Sequence, residues 1–147
     1  MNDKELKLSS DIIVMGSEPI PELSPEDVRA WFALHQDENG LAKAFAAVSN
    51  KFWWVEDNEY DYEKGTPEYE EAVRITDAWG VLMDELKNEI FAILKTEHVT
   101  IPETGQIDVL KPFMERNGYR DGNGWWIPIG SKLKSIVETA EIGGRTS

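Results

Sequence analysis

The sequence predicts a predominantly helical α+β domain, and three observations carry that prediction. Three segments repeat apolar residues at helical spacing. Two of them open on a capping residue followed by proline, at Ser24-Pro25 and Thr66-Pro67. In the last third, Asp121-Gly122 and Asn123-Gly124 are turn signals, and Trp125, Ile127 and Ile129 then alternate as a strand would. The expected elements are main helices over about 25–38, 41–56 and 67–97, a short helix over about 106–117 and a small β-hairpin over about 119–129. A chain of 147 residues is long enough for one domain with its own core. Residues 1–10 and 143–147 read as flexible ends.

"DIIVM" (11–15) has the composition of a short strand, and "SEPIPELS" that of an extended connector, because Pro19 and Pro21 do not fit a helix interior. The first helix starts at Ser24, with Glu26 and Asp27 at the positive end of its dipole, and Asn39-Gly40 reads as its stop. Val28, Trp31, Phe32 and His35 share one face. One imidazole on an apolar stripe reads as a core histidine with a satisfied ring rather than as a ligand or catalyst.

In the second helix Leu41, Ala44, Phe45, Val48, Phe52 and Val55 form the stripe. Trp53 falls roughly 120° from its centre and Trp54 roughly 140° on the other side. Another element must cover these rings, or they are partly exposed. The stretch Glu59, Tyr60, Asp61, Tyr62, Glu63 alternates; in an extended chain the tyrosines point one way and the acids the other.

The third helix carries Ile75, Trp79, Leu82, Leu86, Ile90 and Ile93 on one stripe, widened by Ala72, Ala78, Met83 and Leu94. Gly80 costs ~1 kcal/mol in mid-helix and suits close approach of another helix. Glu68, Glu70 and Glu71 offset the dipole in the first turn and His98 does so at the other end, so none of them needs a functional explanation. "QIDVLKPFMERNG" reads as a short helix interrupted by Pro112, and "SKLKSIVETAEIG" as a short closing element.

The net charge is −13, which argues against binding a polyanion such as nucleic acid. Residues 56–71 hold eight acids against Lys64, so over half of the excess sits in sixteen residues. There is no cysteine, which excludes disulfides, thiolate metal sites and cysteine nucleophiles. No run approaches the ~20 apolar residues of a membrane span, and no signal peptide is visible, so the expected location is cytoplasmic.

Site motifs fail on inspection. An EF-hand register on Asp121-Gly122 puts Tyr119 and Pro128 where ligands are needed. A winged-helix reading offsets Lys111 and Arg116 with Asp108 and Glu115. Glu68-x-x-Glu71 and Glu85-x-x-Asn88 have the spacing of helical magnesium ligands, but they share one continuous helix and cannot face each other across a cleft. No P-loop, nucleophile elbow or zinc-protease motif is present, which weighs against an enzyme without excluding one.

Three functional readings remain. The first is a soluble acidic protein–protein interaction module, of inhibitor, immunity or adaptor type. Trp53, Trp54, Tyr60 and Tyr62 would supply contact area, and Glu56, Asp57, Glu59, Asp61 and Glu63 would steer a basic protein partner. The second is a small-molecule or sugar-binding domain, extending to a hydrolase that uses carboxylates such as Asp57, Asp61 or Glu85, with His35, Glu85, Glu89 and Trp126 as its candidate pocket. The third is a structural domain, its rings all in the core, acting through a homo-oligomer. None of the three calls for a cofactor or metal, for nucleic acid or for a membrane.

Overall fold

The computed structural model describes residues 23–122 and 126–129. Helix α1 (Pro25–Leu34) is followed by α2 (Glu38–Asn58), a 3-10 turn (Glu59–Asp61), α3 (Pro67–Thr96) and α4 (Ile107–Arg116). Strands β1 (Tyr119–Asp121) and β2 (Trp126–Pro128) form an antiparallel hairpin with Tyr119 opposite Pro128. The domain is thus predominantly helical with a small hairpin, as the patterning predicts. The expected strand at 11–15, the proline connector up to Glu22, the closing element from Ser131, both chain ends, and Asn123, Gly124 and Trp125 lie outside the described residues.

The first helix begins as its sequence dictates. Ser24 Oγ accepts from the Asp27 amide at 3.1 Å, and Asp27 Oδ2 accepts from the Ser24 amide at 3.0 Å, closing a reciprocal capping box. Its end differs from the expectation. The helix stops at Leu34 rather than near residue 38, and Asn39-Gly40 sits in the first turn of α2 instead of terminating α1. The reason is Asp37, whose carboxylate accepts from the Gly40 amide at 2.7 Å and caps a new helix. At this corner the chain passes so close to itself that a β-carbon on residue 40 would lie 1.9 Å from the His35 carbonyl oxygen. Glycine is there for close approach, not as a stop.

The second helix is the centre of the molecule. Every residue from Gly40 to Lys51 except Lys43 is buried. α3 runs back along one side of it, while α1 and β2 cover others. A helix apolar all round belongs inside. The predicted stripe is in place, and a second face of Ala42, Ala46, Ala47, Ser49 and Asn50 is enclosed as well. Asn50, 1% exposed, holds the hairpin. Its Nδ2 donates to the Trp126 carbonyl at 3.0 Å and its Oδ1 accepts from the Trp126 amide at 2.8 Å. The Trp126 ring tilts against Phe45 at 6.3 Å between centroids. Under β1, burial pushes the Tyr119 phenol up to about 12. The Lys51 ammonium lies 6.0 Å from the centroid of the Trp79 ring, close enough for a cation–π contribution.

Along α3 the buried positions are Thr76, Trp79, Leu82, Leu86, Ile90, Phe91 and Leu94. Ile75, expected in the stripe, is 41% exposed, because Thr76 turns inward and its hydroxyl donates to the Ala72 carbonyl at 2.9 Å. Gly80 serves as expected, since a β-carbon there would approach the Phe52 ring to 3.1 Å. The helix ends with His98 at φ 65, its amide donating to Lys95 and that of Val99 to Leu94. This is a Schellman stop usually built on glycine. α4 continues through Pro112 rather than breaking there. Its exposed position lets water serve the carbonyl that proline leaves unpaired.

One arginine ties three helix ends together. Arg116 donates from Nε and Nη2 to both Glu38 oxygens at 2.8 Å, and from Nη1 and Nη2 to Glu97 at 3.0 and 2.8 Å. Asn117 Nδ2 donates a further bond to Glu38 Oε2 at 2.8 Å. The Arg116 hydrogen bonds are the main cause holding the Glu38 carboxyl below its ordinary value, and the two carboxylates raise the pKa of the guanidinium.

Replacing Asn50 by Ala leaves the Trp126 amide and carbonyl buried without partners. It is expected to cost about 3 kcal/mol, a fall of roughly 10 °C in melting temperature by calorimetry. Because the folded pKa of Glu38 lies below its unfolded value, its contribution is complete above the ordinary value of 4.5 and is lost as pH falls through the folded-state value. Arg116→Gln is expected to lose about 1 kcal/mol at neutral pH and to flatten the acid limb of a stability-versus-pH curve measured by urea denaturation.

Candidate interaction surface

Past Lys51 the second helix is covered on fewer sides, and the candidate residues begin on this less enclosed end. Val55 still faces inward, whereas Trp53 is 49% exposed, with its ring edge-on to Phe52 at 6.0 Å. The two indoles part company here. Trp54 is half-buried and packs against the core, so of the two indoles only Trp53 is well exposed.

Residues 59–63 do not alternate as an extended chain. Glu59–Asp61 wind into a 3-10 turn, and the Tyr62 amide donates back to the Glu59 carbonyl at 3.2 Å. A turn of about 120° per residue destroys the expected two-sided pattern. Tyr60 stands out in solvent at 83% exposure, while Tyr62, 45% exposed, turns toward α3. Asp57, Asp61 and Glu63 are exposed, and Glu56 and Glu59 are half-buried. The chain is then brought back to α3 by Thr66, whose hydroxyl donates to the Glu63 carbonyl at 2.7 Å and accepts from the Tyr69 amide at 3.2 Å.

This return leaves an open hollow of about 410 Å³ between the end of α2 and the first turns of α3. Val55, Tyr62, Pro67, Ala72 and Ile75 give it apolar walls, and Asn58, Glu68 and Glu71 bring polar groups. Arg74 pairs with Glu71 along the helix. Of the nine residues assigned to partner binding from the sequence, only Tyr62 lines the hollow. Trp53 lies about 200° around α2 from Val55, on the far side of that helix. Asn58, Ala72 and Ile75 belong to no site predicted from the sequence, and Glu68 and Glu71 enter one only as the rejected magnesium spacing. A signal was nevertheless there: 68, 71, 72 and 75 are spaced i, i+3, i+4, i+7 and share one helix face. The stripe reading gave Ile75 to the core and the dipole reading accounted for the glutamates.

The alternative pocket residues are dispersed. Glu85 and Glu89 line a smaller cleft of about 220 Å³ between α1 and α3, together with Arg29, Phe32 and Gln36. Arg29 Nη2 reaches both Glu85 oxygens at 3.2 Å. His35 stacks on Trp31 with centroids 4.0 Å apart, and its Nδ1 lies 2.8 Å from the Trp31 carbonyl oxygen. Trp126 is buried in the hairpin core. Neither ring is among the residues lining the cleft. Among the described residues no group of three or more His, Asp or Glu is placed to hold a metal ion, and no helix is long and apolar enough to cross a membrane.

Comparison with protein-family models, with curated proteins and with solved structures yields no match. The exposure of Trp53 is open to a direct check. Trp53→Phe is expected to remove more of the acrylamide-quenchable emission than Trp31→Phe or Trp79→Phe, both of which delete buried rings. Equal losses from the three variants would show that the 53 ring is enclosed.

Proposed function

We propose that the chain is an acidic protein–protein interaction module, of inhibitor, immunity or adaptor type, that presents its 53–63 region to a basic protein. The observation that carries this reading is the company kept by the exposed rings. Trp53, Tyr60 and Tyr62 stay exposed while Trp31, Trp79, Tyr119 and Trp126 are buried. The exposed rings border a segment, 56–71, with seven net negative charges. Aromatic rings offer rigid contact area at low entropic cost, and surrounding carboxylates raise the encounter rate with a cationic surface and fix its orientation. The same proposal places the protein in the cytoplasm, since a chain without cysteine requires no oxidising compartment.

A hydrolytic reading draws less support. Glycoside hydrolysis needs two carboxyl groups on opposite sides of the scissile bond. Glu68 and Glu71, the carboxylates of the hollow, stand one turn apart on a single helix face. Glu85, one of the three acids named for catalysis from the sequence, is engaged by Arg29 in the other cleft, and neither Asp57 nor Asp61 lines either cavity.

The test compares wild type with two variants in crosslinking from the native host. One variant removes the rings (Trp53→Ala, Tyr60→Ala, Tyr62→Ala); the other reverses charge (Asp57→Lys, Glu59→Lys, Asp61→Lys, Glu63→Lys). A partner with a basic interface is expected from wild type and lost from both. Its association rate should fall about tenfold on charge reversal, with most of its salt dependence removed. Identical capture by all three proteins, or no captured partner, would overturn the proposal.

A further inference from the structure

We infer that the hollow between α2 and α3 is the anchor point for that partner: it takes a lysine or arginine side chain together with an adjacent apolar one, from a short exposed segment. The inference rests on the interaction reading above and names what the partner must carry. A volume of about 410 Å³ with walls from Val55, Tyr62, Ala72 and Ile75 exceeds what a bare cation needs and asks for apolar filling. Ile75 and Tyr62 keep 41% and 45% of their surface in water, which is the area such a filling would cover. Glu68 and Glu71 stand beside those walls. Lysine and arginine match that pairing, with an apolar stem for the walls and a cationic head for the carboxylates. Asn58 carries both a donor and an acceptor suited to a peptide group of the incoming segment.

The positive end of the α3 dipole also lies here, and it decides against an anion rather than for one. The dipole amounts to about half a unit charge. Glu68, Glu70 and Glu71 set three full negative charges against it in the first turns, and Arg74 offsets one of them. The α3 end is also served from within, because the Tyr69 amide donates to the Thr66 hydroxyl and the Glu70 amide to the Thr66 carbonyl. The field at the hollow therefore favours a cation, and the surrounding segment strengthens it.

The experiment titrates the full ¹⁵N-labelled chain with three capped tripeptides, Lys-Leu-Arg, Lys-Ser-Arg and Glu-Leu-Glu. Lys-Leu-Arg is expected to shift the amides of Val55, Asn58, Ala72 and Ile75, and to bind about tenfold more tightly than Lys-Ser-Arg. Glu-Leu-Glu should shift none of them. Ala72→Phe, which fills the hollow, should abolish the shifts. Glu68→Gln with Glu71→Gln, a surface pair that spares the packing, should weaken binding about threefold or more. The inference is overturned if Lys-Leu-Arg gives no shifts up to about 10 mM, if the serine or acidic peptide binds as well, or if the glutamine pair changes nothing. A concentration-dependent dimer that the peptide dissociates would assign the hollow to a second copy and would equally overturn it. Failure here with continued loss of the partner in the Trp53, Tyr60, Tyr62 variant leaves the interaction module standing with its anchor elsewhere, so the two failures are distinguishable.

Discussion

Enclosure of the second helix is the constraint from which the rest of the arrangement follows. Apart from Lys43, the segment from Gly40 to Lys51 turns no residue to water, so it needs a neighbour on every side. α3 supplies the longest wall, α1 a second, and the hairpin a third. Alanines 42, 44, 46 and 47 let these neighbours come close, and Gly80 lets the Phe52 ring fit against α3. The sharp corner at His35–Gly40 is a consequence of the same demand, because α1 must fold back at once to cover the helix that follows it.

The candidate surface begins where that enclosure ends. α2 is 21 residues long, and its last two turns alternate between buried, half-buried and exposed positions. Rings and carboxylates that would be intolerable in the middle of this helix are accommodated at its end. The chain then winds through the 3-10 turn and re-enters α3 at Thr66, and the space between departure and return is the hollow. Among the acids of 56–71, Glu68 and Glu71 border this gap, which is left by the way two long helices are joined.

Local signals were the ones that could be read in advance. Ser24, Pro25 and Asp27, like Thr66 and Pro67, act within four residues of themselves, and each helix start was legible from them. Asn39-Gly40 misleads because a glycine after a helix is commonly a stop, whereas here Asp37, three residues before that glycine, caps a new helix. The 59–63 pattern misled because alternation in the sequence presumes an extended chain, and a 3-10 turn removes that premise. Trp54 was placed off the core face by helix geometry, yet it packs against the core because α2 is covered on more than one side. Non-local features, the close approach at Gly80 apart, are not legible in the sequence. Asn50 looks like an ordinary polar residue until the hairpin, 76 positions later, lies against it.

The Asn50 carboxamide engages only main-chain atoms of residue 126, and this separates two kinds of information at that position. Placement of the hairpin is written in a donor–acceptor pair that every amino acid except proline possesses. Identity at 126 is policed separately, by the fit of its ring beside Phe45. Among diverged copies of this gene, drift at position 126 toward other bulky apolar residues would therefore be tolerated far better than drift at position 50. The asparagine would be the slower clock of the two.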